Sequence, residues 1–556
     1  MDGTGGEATA PRAEGPLGPT EDDGGRGAGR RPTSRRSVLT AAGVTGLGLA
    51  AAACAPQAAP PAPPPNVAPP PVPWTLAQAR TLASRATFGA TRAVVDRILA
   101  IGPEAWLDEQ LGLRGADAEA MLAGFATLGR SNADNDAQRS TDEQVLFKEL
   151  DHAMLLRAVY SERQLYEVMC DFWSNHFTIW RSAKYLTQLK TSDDRDVVRP
   201  HALGRFADLL LASAKSPAML VYLDNYISNA FAAQGVNENW GREILELHTL
   251  GIIDGQQVYT EADVRGVAKV MSGRSIDYTA GPSRYSYRFY TGYASREAVS
   301  ILGGQWSRPA RSSGAAGEAD GDSLLLVLAR HPSTARHICW KLCRRFVADD
   351  PPMALVDRLA AVYRANDTAI KPVLRALFLS PEFRASGGRK VKRPVEWLYS
   401  SLRATRAAVD PLPSGHAAQR LRDTADALGQ PLNERTTPDG YPERAVDWIS
   451  ADGLLKRWEF GARLARNRLT DTSPPAKVVV DLASLLPSPL PATVRALVVA
   501  VADTVFQFPL GSADADSIAA ALGVSPTAAA TALTGSATAL PAAVGLLIAH
   551  PSFQRR

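Results

Sequence analysis

Residues that could carry out chemistry are concentrated between positions 171 and 274. The stretch DFWSNHF at 171–177 sets the imidazole of His176 among aromatic side chains. A second stretch, NENWGREILELHTLG at 237–251, contains glutamates, amides and another histidine. Carboxylates and imidazoles hold iron or zinc in helical bundles, and both groups can transfer protons. The candidate catalytic residues are therefore Glu238, Glu243, Glu246 and His176, with a divalent metal as the candidate cofactor.

A helical projection tests whether a single helix can bring these groups together. At about 100° per residue and with Glu238 at zero, Glu246 falls at about 80° and Glu243 at about 140°. His248 falls at about 280°, on the other side of the helix. One helix therefore cannot supply the carboxylates and His248 to the same metal. The Glu-x-x-His spacing of di-iron bundles is also absent.

The same residues have structural interpretations that the sequence leaves open. His248 on an apolar stripe fits a buried core histidine, and Glu238, Arg242 and Glu246 fit i,i+4 ion pairs. His176 fits a hydrogen bond to a backbone carbonyl. Against these alternatives, a polar entry to the helix at 237–240 is costly to bury unless every group is paired. We therefore expect a site at this junction, with the binding residues Asp224, Asn225, Asn237, Asn239, Arg242 and His248.

Familiar catalytic signatures are missing from the sequence. It contains no G-x-S-x-G elbow, no H-E-x-x-H motif, no Walker loop and no C-x-x-C-H haem attachment. Asp224 and Asn225 alone are too few for calcium, which takes about six to eight oxygen ligands. The motifs alone therefore assign no reaction.

The elements that must position these residues are helices. From Trp74 onwards, apolar residues recur at three- and four-residue spacings between short Gly, Pro and Asp breaks. Thr260 and Asp263 fit a capping box at a helix start. Strand-like alternation is scarce, and its best example is SRYSYRFYTGY at 283–293, a candidate hairpin. The sequence predicts a mainly α protein, a large orthogonal bundle of many helices, with a small β- and loop-rich insertion at about 272–322.

The chain divides into four predicted parts. A signal occupies 1–54 and is followed by a Pro/Ala-rich linker at 55–73, whose composition favours an extended tether without a core. The helical body spans 74–470. A helical extension at 471–556 is expected to pack on that body. The leader and the tether are predicted to be disordered.

The first 54 residues resemble a twin-arginine export signal. Arg35 and Arg36 precede a weakly apolar run at 38–53, which is about 16 residues long and so shorter than the roughly 20 of a spanning helix. Cys54 then follows Ala51, Ala52 and Ala53 in a sequence similar to a lipobox, although Ala51 stands where leucine is usual. Cleavage at an Ala-x-Ala site is the alternative. We expect export by the twin-arginine route and a lipid anchor at Cys54, on the outer face of the cytoplasmic membrane or in the periplasm or cell wall.

Composition excludes several classes of protein. The chain has 556 residues, of which 45% are hydrophobic, so it is neither collagen-like nor wholly disordered. Its net charge of +4 comes from 61 basic and 57 acidic residues. This balance argues against a nucleic-acid partner.

The order of the chemical blocks resembles the bacterial family called domain of unknown function 1800. The blocks are 171–177, 201–206, 217–225, 237–251, 259–264, 271–273, 341–346, 380–383, 393–396, 429–431 and 439–442, with Trp448. Gly241 stands in place of the usual alanine and Arg274 in place of a tryptophan. The resemblance covers the chain from about Leu82 to Arg466. It implies an exported protein, often encoded beside a second exported family that resembles sulfatases, with no established reaction.

The sequence favours an exported, lipid-anchored helical domain of unknown activity with a polar carboxylate and histidine pocket, and two more specific functions remain open as alternatives. The first is a metal- or acid/base-dependent hydrolase or oxidase of the cell envelope. The second is a non-catalytic lipoprotein that serves as a scaffold or binds a partner. The expected partners are the membrane, through Cys54, and the co-encoded sulfatase-like protein.

Overall fold

The computed structural model describes residues 73–115, 118–253, 255–413, 415–469 and 477–556. The predicted signal, with Arg35, Arg36 and Cys54, lies outside these residues, as does the predicted linker up to residue 72. In the described part, helices dominate and strands form only short pairs, so the mainly α prediction is confirmed.

The first five helices lead up to His176, the first candidate residue in the chain. They are α1 (Leu76–Ala86), α2 (Arg92–Ile101), α3 (Pro103–Gly112), α4 (Asn132–Tyr160) and α5 (Gln164–His176). Thr75 and Gln78 form a capping box at the start of α1, which satisfies backbone N–H groups there. His176 is the last residue of α5, so its imidazole stands at a helix end.

The next part of the chain contains short helices and two π-helices. The α-helices are α6 (Lys190–Ser192), α7 (Arg199–His201), α8 (Phe206–Ser213), α9 (Pro217–Tyr222), α10 (Glu238–Glu243) and α11 (Glu261–Met271). The π-helices are Asp193–Val198 and Ile244–His248. Their hydrogen bonds reach one residue further than those of an α-helix, a geometry often found at functional sites. The predicted capping box of Thr260 and Asp263 begins α11.

The remaining helices form the second half of the structure. They are α12 (Gly317–Arg330), α13 (Pro332–Phe346), α14 (Met353–Ala365), α15 (Ile370–Phe378), α16 (Pro381–Arg384), α17 (Pro394–Ala404), α18 (His416–Ala427), α19 (Ala451–Ala465), α20 (Val494–Thr504), α21 (Ser512–Ala521), α22 (Thr531–Thr534) and α23 (Ala539–Ala549). α19 and α23 approach closely because glycines face each other. A Cβ added at Gly461 would lie 2.9 Å from the Cγ2 of Ile548.

Short 3-10 turns connect many of these helices. They span Glu119–Leu122, Ala126–Gly129, Leu186–Gln188, Asn225–Ile227, Leu302–Gly304, Ala445–Asp447 and Ala483–Leu485. Among the described residues, no helix has the length and apolarity needed to cross a membrane.

The strands form three antiparallel pairs. They are β1 (Arg274–Ile276) with β2 (Tyr287–Phe289), β3 (Val299–Ile301) with β4 (Trp306–Arg308), and β5 (Ala408–Val409) with β6 (Val478–Val479). The first two pairs fall within 272–322. The alternating stretch 283–293 is not a hairpin by itself, because its strand β2 pairs with β1 in the register Arg274 to Phe289.

A buried network of charges joins α5, α13 and α17. Its members are Asp171, Arg345, Arg393, Glu396, Glu443 and Arg556. The Glu396 carboxylate contacts Arg345 and lies 3.0 Å from Arg556. Glu443 lies 3.4 Å from both Arg345 and Arg393. Three carboxylates thus balance three guanidinium groups, as burial of charge requires.

Candidate functional site

The candidate carboxylates are spread along α10 and the π-helix that follows it: Glu238 begins α10, Glu243 ends it, and Glu246 lies within the π-helix. Glu238 and Asn239 are exposed, whereas Glu243 and Glu246 are half-buried. The Tyr259 hydroxyl donates to Glu246 Oε2 at 3.2 Å. Arg242 makes a two-point ion pair with Glu261, the first residue of α11, at 2.7 and 2.8 Å. Arg242 therefore forms its ion pair with the neighbouring helix α11 and not along its own helix.

The π-helix changes the geometry that a projection at 100° per residue assumes. α10 ends at Glu243, and the chain continues as the π-helix Ile244–His248. The Thr249 hydroxyl donates to the carbonyl of Ile244 at 2.5 Å, across the wider turn. His248 is 1% exposed, while Glu246 remains half-buried. The carboxylates and His248 thus face different surroundings even though the turn is not α-helical.

His176 and His248 meet in a buried cluster with a third histidine. The ring centroids of His176 and His248 are 5.9 Å apart, and those of His176 and His337 are 6.3 Å apart. Nε2 of His176 lies 3.2 Å from the carbonyl oxygen of His248. Nδ1 of His337 lies 2.8 Å from the carbonyl oxygen of Thr249. The end of α5, the π-helix and α13 therefore contribute one histidine each.

Lys341 completes this cluster and bonds directly to His176. Its Nζ lies 2.9 Å from Nδ1 of His176. Because a carbonyl oxygen can only accept, Nε2 of His176 carries the proton, and Nδ1 accepts the bond from the ammonium of Lys341. His337 and Lys341 are four residues apart on α13 and so share one face of that helix.

The electrostatics of the cluster make Lys341 its titrating member. Burial lowers the pKa of Lys341 to about 8, although the charges of Glu443 and Asp439 act to raise it. Burial and the charge of Lys341 lower the pKa values of His248 and His337 to about 3. The pKa of His176 is also lowered well below its ordinary value, first by burial and then by Lys341. The three imidazoles are therefore neutral at neutral pH.

An acidic rim, defined here as Glu243, Glu246 and Asp439, is coupled electrostatically to Lys341 through Asp439. Burial and the charge of Glu246 raise the pKa of Glu243, and Asp439 adds to this effect. Asp439 acts electrostatically on both Glu243 and Lys341, and so connects the candidate carboxylates to the histidine cluster.

The segment that carries Asp439 is fixed against the end of α5. Asn175 Nδ2 donates to the carbonyl of Tyr441 at 2.9 Å, and Asn175 Oδ1 accepts from the Tyr441 N–H at 2.7 Å. Gly440 has a φ of +79°, and a Cβ there would lie only 2.3 Å from the Asn175 carbonyl oxygen. Only glycine allows the segment to approach this closely.

Three of the predicted binding residues support the backbone of the neighbouring segment. Asp224 pairs with Lys184. Asn225 is fully buried and donates to the carbonyls of Met271 and Arg274 at 3.2 and 3.3 Å. Asn237 caps α10 and donates to the carbonyl of Leu223 at 3.0 Å. These side chains hold the chain around α10, whereas His176 is bonded to His248 and Lys341.

A metal ion at this site would need free ligand atoms from His176 and from neighbouring carboxylates or imidazoles. Both nitrogens of His176 are engaged, one by a carbonyl oxygen and the other by Lys341. Within the ranges that the structure describes, no three His, Cys, Asp or Glu side chains are grouped so that they could hold a metal ion.

Two residues of the cluster, His337 and Lys341, were not among the candidates from the sequence. Lys341 lies 165 residues from His176 in the chain, and no local motif connects the two. Their i,i+4 spacing predicts that they share one face of α13, but the same spacing occurs on any helix. Only the packing of α13 against the end of α5 brings them to His176.

A comparison with known protein families matches most of the chain. The family model described as "Protein of unknown function (DUF1800)" matches residues 81–555. This range contains every residue of the histidine cluster and of the acidic rim. No curated protein and no solved structure matches the chain.

Proposed function

This chain belongs to the DUF1800 family, and we propose that it is an exported, lipid-anchored envelope hydrolase in which Lys341 is the general base and His176 positions it. The observation that carries the proposal is the 2.9 Å contact between Lys341 Nζ and a buried, neutral His176. An amine with a pKa of about 8 can lose and regain a proton near neutral pH, as general acid–base catalysis requires.

The proposed reaction uses groups of the cluster and the rim. The neutral amine of Lys341 takes a proton from a water molecule, whose oxygen attacks the substrate while the bond to the leaving group breaks. Glu243, whose pKa is raised by burial, is the group that returns a proton to the leaving group. His176 is a positioning residue, since it fixes the amine through its Nδ1. Proton transfer of this kind contributes about 10²- to 10⁴-fold to a rate.

The proposal predicts that Lys341 titrates unlike an ordinary lysine. Competitive labelling with limiting acetic anhydride, followed by peptide mass spectrometry, is expected to give half-maximal reactivity near pH 8 at Lys341. Asp439→Asn is expected to lower that midpoint, because the carboxylate favours the charged amine. Hydrolysis of nitrophenyl esters is expected to follow the same midpoint and to fall at least about 100-fold in Lys341→Met.

Lys456 on α19, whose side chain is 40% exposed, provides the matched control for this experiment. Lys456→Met should leave the hydrolysis unchanged. A midpoint for Lys341 at the ordinary lysine pKa of about 10.4 would contradict the proposal. So would ester hydrolysis that survives in Lys341→Met.

Export and anchoring rest on the sequence features of the first 54 residues. Replacing Arg35 and Arg36 together by lysine is expected to retain the full-length chain in the cytoplasm. Cys54→Ser is expected to move the protein from the membrane fraction to the soluble envelope fraction after cell fractionation. Membrane association that is unchanged by Cys54→Ser would refute the lipid anchor, and export that is unchanged by the double replacement would refute the twin-arginine route.

A binding or scaffold function is the second candidate, and one observation favours it. Large apolar side chains are exposed around the start of α19: Val446, Ile449, Leu455 and Trp458, at 65%, 54%, 60% and 48%. Exposed apolar groups of this kind mark surfaces that contact a partner. The co-encoded sulfatase-like protein is the partner we propose for this function. An ordinary titration of Lys341 would favour this second candidate.

A further inference from the structure

A separate cavity of about 610 Å³ lies against α1. Its other walls come from the segments 387–392, 506–509 and 552–556 and from Ser400 of α17. It shares no residue with the histidine cluster or the acidic rim. The volume falls in the range of sites that enclose small molecules, about 300–1,000 Å³.

The lining of this cavity is apolar and cationic. Its apolar side chains include Leu76, Ala90, Phe506, Phe508, Pro509 and Phe553. Its charged side chains are Arg80, Lys392, Arg555 and Arg556, and no aspartate or glutamate of the described residues lines it. Such walls complement a molecule that joins an apolar body to an anionic group.

Lys392 is the charged group that most needs a partner. It is 6% exposed, its Nζ donates to the Ser400 hydroxyl at 3.1 Å, and it lies 3.6 Å from the ring centroid of Phe553. Among the described residues it forms no ion pair, whereas Arg80 pairs with Asp503. Burial lowers the pKa of Lys392 well below its ordinary value, and the charges of Arg457 and Arg556 lower it further, although the charge of Glu396 acts to raise it.

Three further polar atoms of the lining are buried without a hydrogen-bond partner in the described part of the chain. They are Nε of Arg80, Oε1 of Gln507 and Nε of Arg556. Buried polar atoms are almost always paired in folded proteins. The walls of this cavity are therefore incompletely paired in the described part of the chain.

We propose that this cavity binds a fatty carboxylate, with its carboxylate on Lys392 and its acyl chain against Phe506, Phe508 and Phe553. The carboxylate supplies the anion that Lys392 lacks, and a charge-assisted hydrogen bond in a buried site is strong. The apolar walls take the chain out of water. This site is independent of the proposed hydrolase centre.

Calorimetric titration of the full-length protein, freed of bound lipid, tests this proposal with three dodecyl compounds below their micelle concentrations. Dodecanoate is expected to bind at one site, at least about 10-fold more tightly than dodecanol. Dodecyltrimethylammonium is expected not to bind. Lys392→Met should reduce the affinity for dodecanoate to that for dodecanol, whereas Lys477→Met, at a lysine whose side chain is 73% exposed, should change neither.

A second variant keeps the test decisive if Lys392→Met does not fold. Ser84 is half-buried in the wall, and Ser84→Phe is expected to block binding of both dodecanoate and dodecanol by filling the space. Equal affinity for dodecanoate and dodecanol in the wild type would overturn the proposal. Absence of any binding would also overturn it. Binding of phosphatidylglycerol vesicles without binding of dodecanoate would assign the site to a different lipid and refute the fatty carboxylate.

Discussion

Glu396→Gln is expected to lower the free energy of unfolding by about 3–5 kcal/mol. The Glu396 side chain is fully buried and contacts Arg345, Arg393 and Arg556. Glutamine keeps the shape but removes the charge, so three guanidinium groups remain with only two carboxylates. Removing one partner of a buried ionic group leaves an uncompensated charge, which is far more costly than losing a surface pair. Urea denaturation of the wild type and the variant measures the difference.

The cost of Glu396→Gln is expected to depend on pH. Burial alone would raise the pKa of Glu396, but the charges of Arg345, Arg556 and Arg393 outweigh it and hold the pKa well below its usual range. A carboxyl whose folded pKa is depressed adds stability that is fully present above its unfolded pKa of about 4.3. That stability is lost as the pH falls towards the folded pKa. The difference between wild type and variant should therefore be constant above about pH 5 and shrink in acid.

Glu459→Gln is the matched control, because it makes the same chemical change in an exposed pair with Arg463 on α19. An exposed i,i+4 ion pair is worth about 0.3–0.5 kcal/mol. Equal costs for the two variants would show that the buried network does not stabilise the fold.

Gly440→Ala is expected to cost about 3 kcal/mol of stability and to disturb the candidate site. The new Cβ would lie 2.3 Å from the Asn175 carbonyl oxygen, so the segment around Asp439 must move away from α5. The left-handed φ of +79° adds about 1–2 kcal/mol for an L-residue, and the overlap adds about 1–3 kcal/mol. Thermal and urea denaturation measure the stability. Because Asp439 would move, competitive labelling should also report a lower pKa for Lys341.

Gly429→Ala separates the two contributions. Gly429 has a similar φ of +86°, but no atom of the described residues lies within 4 Å of a Cβ placed there. Its replacement should therefore cost only the conformational part, about 1–2 kcal/mol, and leave the titration of Lys341 unchanged. If the two variants behaved alike, the close contact with Asn175 would have no role.

The helical fold and half of the histidine cluster could be predicted from the sequence because their signals are local. Apolar spacing indicates helices, and His176 and His248 stand in short stretches of unusual composition. The partner of Arg242 could not be predicted, because Glu261 lies on the next helix and only the packing of α10 against α11 brings it close. Lys341 depends even more on packing, since its environment is created by α5 and the segment around Asp439. The π-helix after Glu243 also leaves no clear mark in the sequence.

Glu443 belongs to two systems at once. It contacts Arg345 and Arg393 in the buried network, and its charge also favours the protonated form of Lys341. Arg345 and Lys341 stand one turn apart on α13. Proton uptake at the amine and the strength of the arginine–carboxylate network are therefore thermodynamically linked, and such a linkage is reciprocal. An anionic substrate group bound beside Lys341 would therefore change the stability of the arginine–carboxylate network. A weakened network would in turn shift the pKa of the Lys341 amine.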